Sequence, residues 1–277
     1  YQNQLKMNNL LALVSFLSCF SVAVYSQDCG CDYFIEIADN NFDGASVLPG
    51  EVICIESGAR SKLQIKNLEG TLLNPIQIKN CGGEVLINAT GFDFGIRMMG
   101  CNYVNLTGSG DEAIEFGIHI DGSSGFGIRL TQLSNHFEVN HIRIENTSLA
   151  ALISKDEPNC ELTANEGVFE LSDCKISDLS IANCGEGISI GHPKFRIGIA
   201  DPECGALFPY GIHNFTIENC SLTNLTVGNG ITLYGSNALI RNNTIDEVNA
   251  CGVYSAWESE LIFEKNRISS TNQYGVK

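Results

Sequence analysis

The chain has 277 residues, of which 44% are hydrophobic and 17% charged, and this composition favours a packed protein over a disordered one. Its formal net charge of -16 argues against non-specific nucleic-acid binding, which needs a basic face against the phosphates. An acidic surface is typical of exported proteins, and it can also hold divalent cations.

The first predicted element is an export signal at residues 7–26. Met7 opens a stretch that continues as an apolar run to Val24, and Val24-Tyr25-Ser26 resembles a small-x-small cleavage site. Residues Tyr1–Lys6 are expected to precede the start of the natural protein. A membrane anchor is the alternative, but the run is short for a span and no positive stop-transfer cluster follows. We therefore expect a secreted or cell-surface protein without a transmembrane span.

The cysteines that follow the signal predict disulfides. Of the twelve cysteines, Cys19 leaves with the signal, and the other eleven belong to a protein bound for an oxidising compartment. Cys29 and Cys31 lie in residues 27–44, which we expect to form an N-terminal segment or cap. No second Cys or His pair has zinc-finger spacing, so a structural zinc site is not expected.

Self-similar hexapeptides then predict one repeat domain over residues 45–277. Each begins and ends with an apolar residue and is followed by a small residue and an apolar one. The hexapeptides begin at Val139, Leu171, Ile217, Ile240 and Phe263, and the pairs are Ala151-Leu152, Gly187-Ile188, Gly230-Ile231, Gly252-Val253 and Gly275-Val276. The starts at 217, 240 and 263 are 23 residues apart.

This period predicts an all-β solenoid in which each coil holds three short strands and three turns. The runs are short, β-branched and broken by Asn and Gly, with no 3.6-residue period. Stacked coils bury a continuous core and pair their backbones in parallel ladders. A leucine-rich repeat would need a Leu-x-x-Leu-x-Leu frame, and a β-sandwich would show hairpin turns. The residues expected to point inward are Leu171, Ile176, Ile217, Leu222, Ile240, Ile245, Phe263 and Ile268.

Two stacking predictions follow from the register. Asn243 and Asn266 recur at one position of consecutive coils, where their side-chain amides are expected to form a ladder. Cys174 and Cys220 are expected to stack in the interior and to stay reduced, because parallel Cβ vectors suit a disulfide poorly.

Over residues 45–277 the pattern resembles the right-handed β-helix repeats of the pectin-lyase-like superfamily, in its secreted bacterial type. The motif is clearest in Ile240–Val253, and Pro49–Ile55 followed by Asn74–Gly83 is similar to the earlier coils of such proteins. The resemblance implies a single-stranded right-handed parallel β-helix. The fold is expected to be C-terminally incomplete, because Lys277 follows the start of a strand. The resemblance does not single out one function, because this fold hosts lyases, hydrolases, esterases, epimerases, phage spikes and adhesins.

Two anchor spacings are too long and predict loop insertions. The distance from 139 to 171 is 32 residues and that from 171 to 217 is 46, against the regular 23. The insertions are placed near 154–165 and 191–211, both leaving the same strand, so they are expected to stand side by side. A disulfide between Cys160 and Cys204 would join them. Loops on a rigid scaffold commonly carry function.

Alternation along that strand gathers basic and aromatic side chains on one outer face. Cations and aromatic rings suit an anionic polysaccharide, through charge pairing and contact with sugar C–H faces. The alternative is a scatter of solvated surface residues. The candidate substrate-binding residues are Arg97, His119, Asp156, Tyr234, Tyr254 and Trp257.

Candidate catalytic residues follow from the lyases of the superfamily. These enzymes remove the proton alpha to a uronate carboxylate, with a basic side chain as the base and Ca²⁺ or Arg neutralising the carboxylate. The resemblance implies Lys155, Arg129 and His192 for these roles, with calcium as a candidate cofactor. Hydrolases of the same fold need clustered carboxylates, and the chain has no Asp-Asp pair. Two functions stay open: a lyase-like or binding protein for polysaccharide, and a non-catalytic adhesin or stalk.

Overall fold

The computed structural model describes residues 29–154, 169–191, 210–235, 237–256 and 260–277. Within these ranges the chain forms 24 β-strands, and every strand pairing is parallel. The strands are β1 (Tyr33–Ile35), β2 (Asn41–Asp43), β3 (Val52–Arg60), β4 (Leu63–Glu69), β5 (Ile76–Asn88), β6 (Phe94–Thr107), β7 (Ile118–Ser123), β8 (Phe126–Thr131), β9 (Asn135–Asn140), β10 (Ile142–Thr147), β11 (Ala150–Ser154), β12 (Phe169–Ser172), β13 (Lys175–Ser177), β14 (Ser180–Ala182), β15 (Glu186–Ile190), β16 (Tyr210–His213), β17 (Phe215–Glu218), β18 (Ser221–Leu225), β19 (Ile231–Tyr234), β20 (Asn237–Arg241), β21 (Thr244–Val248), β22 (Val253–Ala256), β23 (Glu260–Glu264) and β24 (Arg267–Ile268).

The pairings form three ladders along a parallel β-helix, as the repeat predicted. Sheet I joins β2, β4, the start of β6, β8, β11, β15, β19 and β22. Sheet II joins the ends of β3 and β5 to β7, β10, β14, β18, β21 and β24. Sheet III joins β1, the starts of β3 and β5, the end of β6, β9, β13, β17, β20 and β23. Strands β12 and β16 pair separately. The segment that was predicted as an N-terminal segment or cap thus contains β1 and β2, which stack directly on the following coil.

The register corrects one anchor of the repeat. Val139 pairs with Ile176, and Ile176 pairs with Ile217, whereas Leu171 pairs with Ile212. The second hexapeptide therefore begins at Ile176, five residues after the predicted start. Leu171 and Ile176 are both apolar and buried, because β12 and β13 follow one another along the same side of the coil. Hydrophobicity alone therefore does not show which of the two residues begins the repeat.

With this register, the long coils differ from the regular ones by defined amounts. The anchors at 139, 176 and 217 are 37 and 41 residues apart, which is 14 and 18 more than the regular 23. The excess equals the lengths of 155–168 and 192–209, which lie outside the described residues.

The interior is an apolar column shared by all coils. Six of the eight predicted inward side chains have no exposed surface: Leu171, Ile176, Ile217, Leu222, Ile240 and Ile245. Phe263 is 38% exposed and Ile268 only partly buried, because within the described chain β23 and β24 pair with a strand on one side only. Each fully buried aliphatic side chain contributes about 1.5–3 kcal/mol, so the core of one coil is stable only when the next coil covers it.

The small residues at the start of each sheet I strand have a steric cause. A Cβ placed on Gly230 would collide with the carbonyl oxygen of Gly252 in the next coil, and one on Gly187 would collide with that of Gly230. The chain therefore lies very close to its neighbouring coil at this corner. This close approach accounts for the small–apolar pairs in the sequence, whose apolar members Leu152, Ile188, Ile231 and Val253 pair in register as predicted.

The predicted asparagine ladder is confirmed, and the predicted cysteine stack is wrong. The Asn243 side-chain amide donates to Asn266 Oδ1 at 2.9 Å. Cys174 and Cys220 are both buried and free, but Cys174 is level with Phe215 and Cys220 with Leu179, so they occupy different corners. The misalignment follows from the anchor error at Leu171.

Two disulfides tie the N-terminal segment to the first coils. They join Cys29 to Cys81 and Cys31 to Cys54, with Cα–Cα distances of 5.9 and 5.7 Å. Within the described chain, the one group of three or more possible metal ligands consists of Cys29, Cys31 and Cys81, all of them in these disulfides. The described part of the chain contains no helix that could span a membrane.

Candidate functional site

The outer face of sheet I carries two arginines that lie side by side in successive coils. Arg97 of β6 pairs with Arg129 of β8, and Phe94 pairs with Phe126. Each guanidinium lies over the phenylalanine of its own strand, at 5.8 Å for Arg97 and 5.4 Å for Arg129 from the ring centroid. The rings thus hold the charged groups at the surface by cation–π contact.

A third cation and one carboxylate complete the cluster. The Lys62 ammonium lies 4.9 Å from the ring centroid of Phe92. Arg129 Nη1 lies 3.2 Å from Asp93 Oδ2. We call this group the basic strip: Lys62, Phe92, Asp93, Phe94, Arg97, Phe126 and Arg129.

The charge of the basic strip is poorly balanced. Arg97 Nε is buried and has no hydrogen-bond partner within the described chain. The pKa of Arg97 is lowered by burial and by the neighbouring Arg129 charge, and the Asp93 carboxylate only partly opposes this. Among the described residues, the basic strip therefore holds three cations and one carboxylate, in a protein whose net charge is -16. An incoming anion would relieve the repulsion between the arginines.

Two tyrosines lie further along the same face. Tyr254 pairs with Thr232, and the rings of Tyr234 and Tyr254 meet edge to face with centroids 6.0 Å apart. Burial raises the pKa of Tyr234, and Tyr254 and Glu186 add to the shift. Five steps of strand pairing separate Arg97 from Tyr254, which at about 4.8 Å per step places them roughly 24 Å apart along the solenoid axis.

Both long coils leave sheet I between the arginines and the tyrosines. Strand β11 ends at Ser154 and β15 ends at Ile190, and these strands pair with each other in register. Residues 155–168, 192–209 and 257–259 lie outside the described residues. The predicted site residues found there are Lys155, Asp156, Cys160, His192, Cys204 and Trp257, and their roles remain predictions.

The structure moves His119 to a different face. His119 belongs to β7 in sheet II, where it pairs with Leu86 and Arg143. Its Nε2 lies 3.0 Å from Glu145 and its Nδ1 3.6 Å from Glu84. Gly117 and Ile118, which precede His119, form the same small–apolar pair that begins a sheet I strand elsewhere in the sequence. His119 and Arg129 are only ten residues apart, less than one coil, so they cannot occupy the same sheet.

The described part of the face does not fit a calcium site. Ca²⁺ takes six to eight oxygen ligands, whereas the basic strip offers one carboxylate, Asp93, which is paired with Arg129. The basic strip therefore does not supply a set of calcium ligands, and calcium stays a candidate cofactor that the resemblance implied.

Sequence reasoning missed Lys62, Asp93 and the three phenylalanines of the strip. The available signal was the tetrapeptide Phe-Gly-Ile-Arg, which occurs at Phe94–Arg97 and again at Phe126–Arg129. An exact repeat that includes an outward arginine predicts two stacked arginines once the coil is known. Lys62 and Asp93 carry no such signal, because they lie in turns at the strand ends.

Comparison with known proteins identifies the fold. A family model described as "Right handed beta helix region" matches residues 165–277. An alginate lyase from Paenibacillus sp. str. FPU-7 is similar in structure, with 17% sequence identity, a TM-score of 0.42, and coverage of 88% of this chain and 99% of that one. A PL6 family polysaccharide lyase from Pseudopedobacter saltans shows 11% identity and a TM-score of 0.25, with 78% and 65% coverage. No curated protein matches the sequence significantly. Over residues 165–277 the family match agrees with the parallel coils described above, and its description is right-handed.

Proposed function

We propose that this right-handed parallel β-helix repeat protein is exported and binds an anionic polysaccharide along the outer face of sheet I. The observation that supports this most is the basic strip, in which Lys62, Arg97 and Arg129 face one carboxylate. Arginine binds carboxylate or sulfate groups through two parallel hydrogen bonds, and a partly buried guanidinium has already lost part of its hydration.

The extent of the face favours a polymer over a small anion. Tyr234 and Tyr254 continue it roughly 19–24 Å beyond Arg97 along the solenoid axis, and tyrosine rings contact the C–H faces of sugars without requiring charge. A chain lying parallel to the solenoid axis would meet the arginines first and the tyrosines at its other end.

The finer proposal is a lyase reaction at this site. Arg129 would neutralise the carboxylate of a uronate, which acidifies the adjacent C–H. Lys155, the candidate base, would take that proton, the bond from the ring to the glycosidic oxygen at the β carbon would break, and His192 would protonate the leaving oxygen. The products are one unsaturated uronate end and one new sugar end, and no water is consumed. Asp156 and Trp257 would contact the substrate beside the reacting unit.

Binding without chemistry is the second candidate. Lys62, Arg97 and Arg129 all rest against aromatic rings, an arrangement that holds a charge in place and does not need a proton acceptor. An adhesin would use this face and would not depend on Lys155.

Arginine variants test the binding face. Arg97→Ala and Arg129→Ala should each weaken binding to polygalacturonate or alginate by roughly tenfold, the loss of about 1.4 kcal/mol. Arg143→Ala is the matched control, because Arg143 also lies over a phenylalanine, 5.5 Å from the Phe116 ring, but on sheet II. Equal affinity in all three variants and the parent would contradict the proposal.

A separate assay distinguishes lyase from binder. If the protein is a lyase, the parent releases unsaturated product from a uronate polymer and Lys155→Ala abolishes that release while keeping affinity. If it is a binder, neither protein forms product and both bind equally.

A further inference from the structure

A recess lies on sheet III, away from the basic strip on sheet I. Its volume is about 190 Å³, roughly the volume that six water molecules occupy in the liquid. Its walls come from the turn before β5 and from the three coils that follow: Leu72, Pro75, Asn105, Glu138, Asp173 and Lys175. This space suits one small ring.

A pair of stacked rings forms one side of the recess. Tyr103 of β6 and His136 of β9 come directly after Asn102 and Asn135, which pair with each other. The two rings stack with centroids 4.2 Å apart and planes within 3°. Both have left-handed backbone, with φ of 52° and 49°. This conformation is uncommon for ring-bearing side chains, and it turns both rings outward at the corner of the coil.

The next coil adds a carboxylate beside the rings. Asp173 accepts a hydrogen bond from Asn214 at 2.7 Å through Oδ1, and its Oδ2 lies 3.5 Å from His136 Nδ1. That nitrogen is buried and has no hydrogen-bond partner in the described chain. Asp173 therefore offers the recess a carboxylate that is 54% exposed, and His136 lines the recess with its ring.

The charges of the recess disfavour an anionic ligand. Glu138 lies 3.5 Å from Lys175, but Lys175 also lies 3.1 Å from Glu218 and so is shared between two carboxylates. Asp173 has no lysine or arginine partner among the ion pairs of the described residues. The apolar wall is unusually open to solvent, since Leu72 is 76% exposed.

We propose that this recess binds a single unit of a neutral sugar. Ring hydroxyls would donate to the Asp173 and Glu138 carboxylates and accept from Lys175 and Asn105, and one C–H face would lie on Leu72 and Pro75. Carboxylates that accept from hydroxyls form charge-assisted hydrogen bonds without burying a second charge. The protein would then contact neutral sugar on sheet III independently of the anionic polymer on sheet I.

Asparagine variants of two equivalent aspartates test this inference. Asp173 and Asp178 both have left-handed backbone and both accept from an asparagine of the next coil, Asn214 and Asn219, but only Asp173 lines the recess. The probes are the methyl glycosides of glucose, galactose, mannose and xylose, with binding followed by saturation-transfer NMR and titration. Asp173→Asn and Glu138→Gln should weaken binding of the recognised glycoside roughly tenfold, through loss of one charge-assisted hydrogen bond.

The controls separate this site from the basic strip. Asp178→Asn and Arg97→Ala should leave glycoside affinity unchanged, and Asp173→Asn should leave polygalacturonate affinity unchanged. The proposal fails if no glycoside binds at concentrations up to roughly 50 mM, the weak end of specific recognition, or if Asp173→Asn and Asp178→Asn behave alike.

Discussion

At the scale of single residues, the turns of the solenoid depend on side chains that tolerate left-handed backbone. Asn219 and Asn242 have φ of 56° and 55° at the same corner of successive coils. The next residue along, Asn243, points inward, where it is 1% exposed and hydrogen-bonds inside the corner. One Asn-Asn pair therefore combines a backbone role and an interior polar role.

Removal of the interior amide should be costly. Asn243 Oδ1 accepts from the Cys220 N–H at 2.9 Å, and its Nδ2 donates to the Ile217 carbonyl at 3.0 Å. Asn243→Ala leaves these buried backbone groups unpaired, so the free energy of unfolding should fall by about 2–4 kcal/mol. Urea unfolding measures this. Thr244→Ala, at the neighbouring exposed position, should change stability little, and an equal loss in both variants would refute the assigned role.

At the scale of elements, sheet III is crossed by a chain of ion pairs. Lys175 of β13 lies between Glu138 of β9 and Glu218 of β17, and Arg241 of β20 pairs with Glu218 from the other side. Burial opposes ionisation of Glu218, but hydrogen bonds from Arg241 and Lys175 outweigh it, so the pKa of Glu218 lies below its ordinary value of 4.5. The ladder alternates in sign over four coils and holds their register.

The lowered pKa of Glu218 sets the pH range over which this ladder stabilises the fold. Because the folded pKa lies below 4.5, the stabilisation is complete above that pH and disappears as the pH falls through the folded value. Glu218→Gln should therefore cost about 1–3 kcal/mol at pH 7, and the difference from the parent should shrink below pH 4.5. Glu264→Gln, at the same register in the next coil after Arg241 but exposed, is the control. A difference that is constant with pH would contradict the ladder.

At the scale of the whole molecule, the regular coils show that a coil of this solenoid closes without an insertion. From Ile217 to Phe263 the chain closes each coil with 23 residues, whereas the two preceding coils need 14 and 18 more. Since each coil contacts only its neighbours, the extra segments add to a solenoid that can close without them.

Deletion of an insertion should separate folding from function. A variant that lacks 155–168, with Ser154 joined to Phe169 by a short Gly-containing turn, should keep its β-sheet circular dichroism and a Tm within a few degrees of the parent. If the protein is a lyase, polysaccharide turnover should be lost with Lys155, whereas polysaccharide binding through Arg97 and Arg129 should remain. An equally long deletion across β9 and β10, residues 135–148, should prevent folding. Unfolding of the 155–168 variant would show that the segment is part of the core.

The sequence by itself determined the coil, its period and most of its core. The 23-residue spacing, the small–apolar pairs and the Asn turns are local features, and each follows from a steric or hydrogen-bonding demand of one position. Arg97, Arg129, Tyr234 and Tyr254 could be placed on one face because side chains alternate along a strand. What the sequence did not determine is which of two similar segments stacks on which.

Only the tertiary structure decided those choices. Leu171 and Ile176 fit the sequence repeat equally well, and only the pairing of Ile176 with Val139 shows that Ile176 is the start of the repeat. The sequence Gly117-Ile118-His119 predicts a sheet I strand, whereas strand pairing places it in sheet II. The sequence did not reveal the recess beside Tyr103 and His136 for the same reason, because its walls come from coils that are 28 residues or more apart in sequence. Local chemistry specifies a strand and a turn, whereas stacking is a long-range match of register that a single segment does not contain.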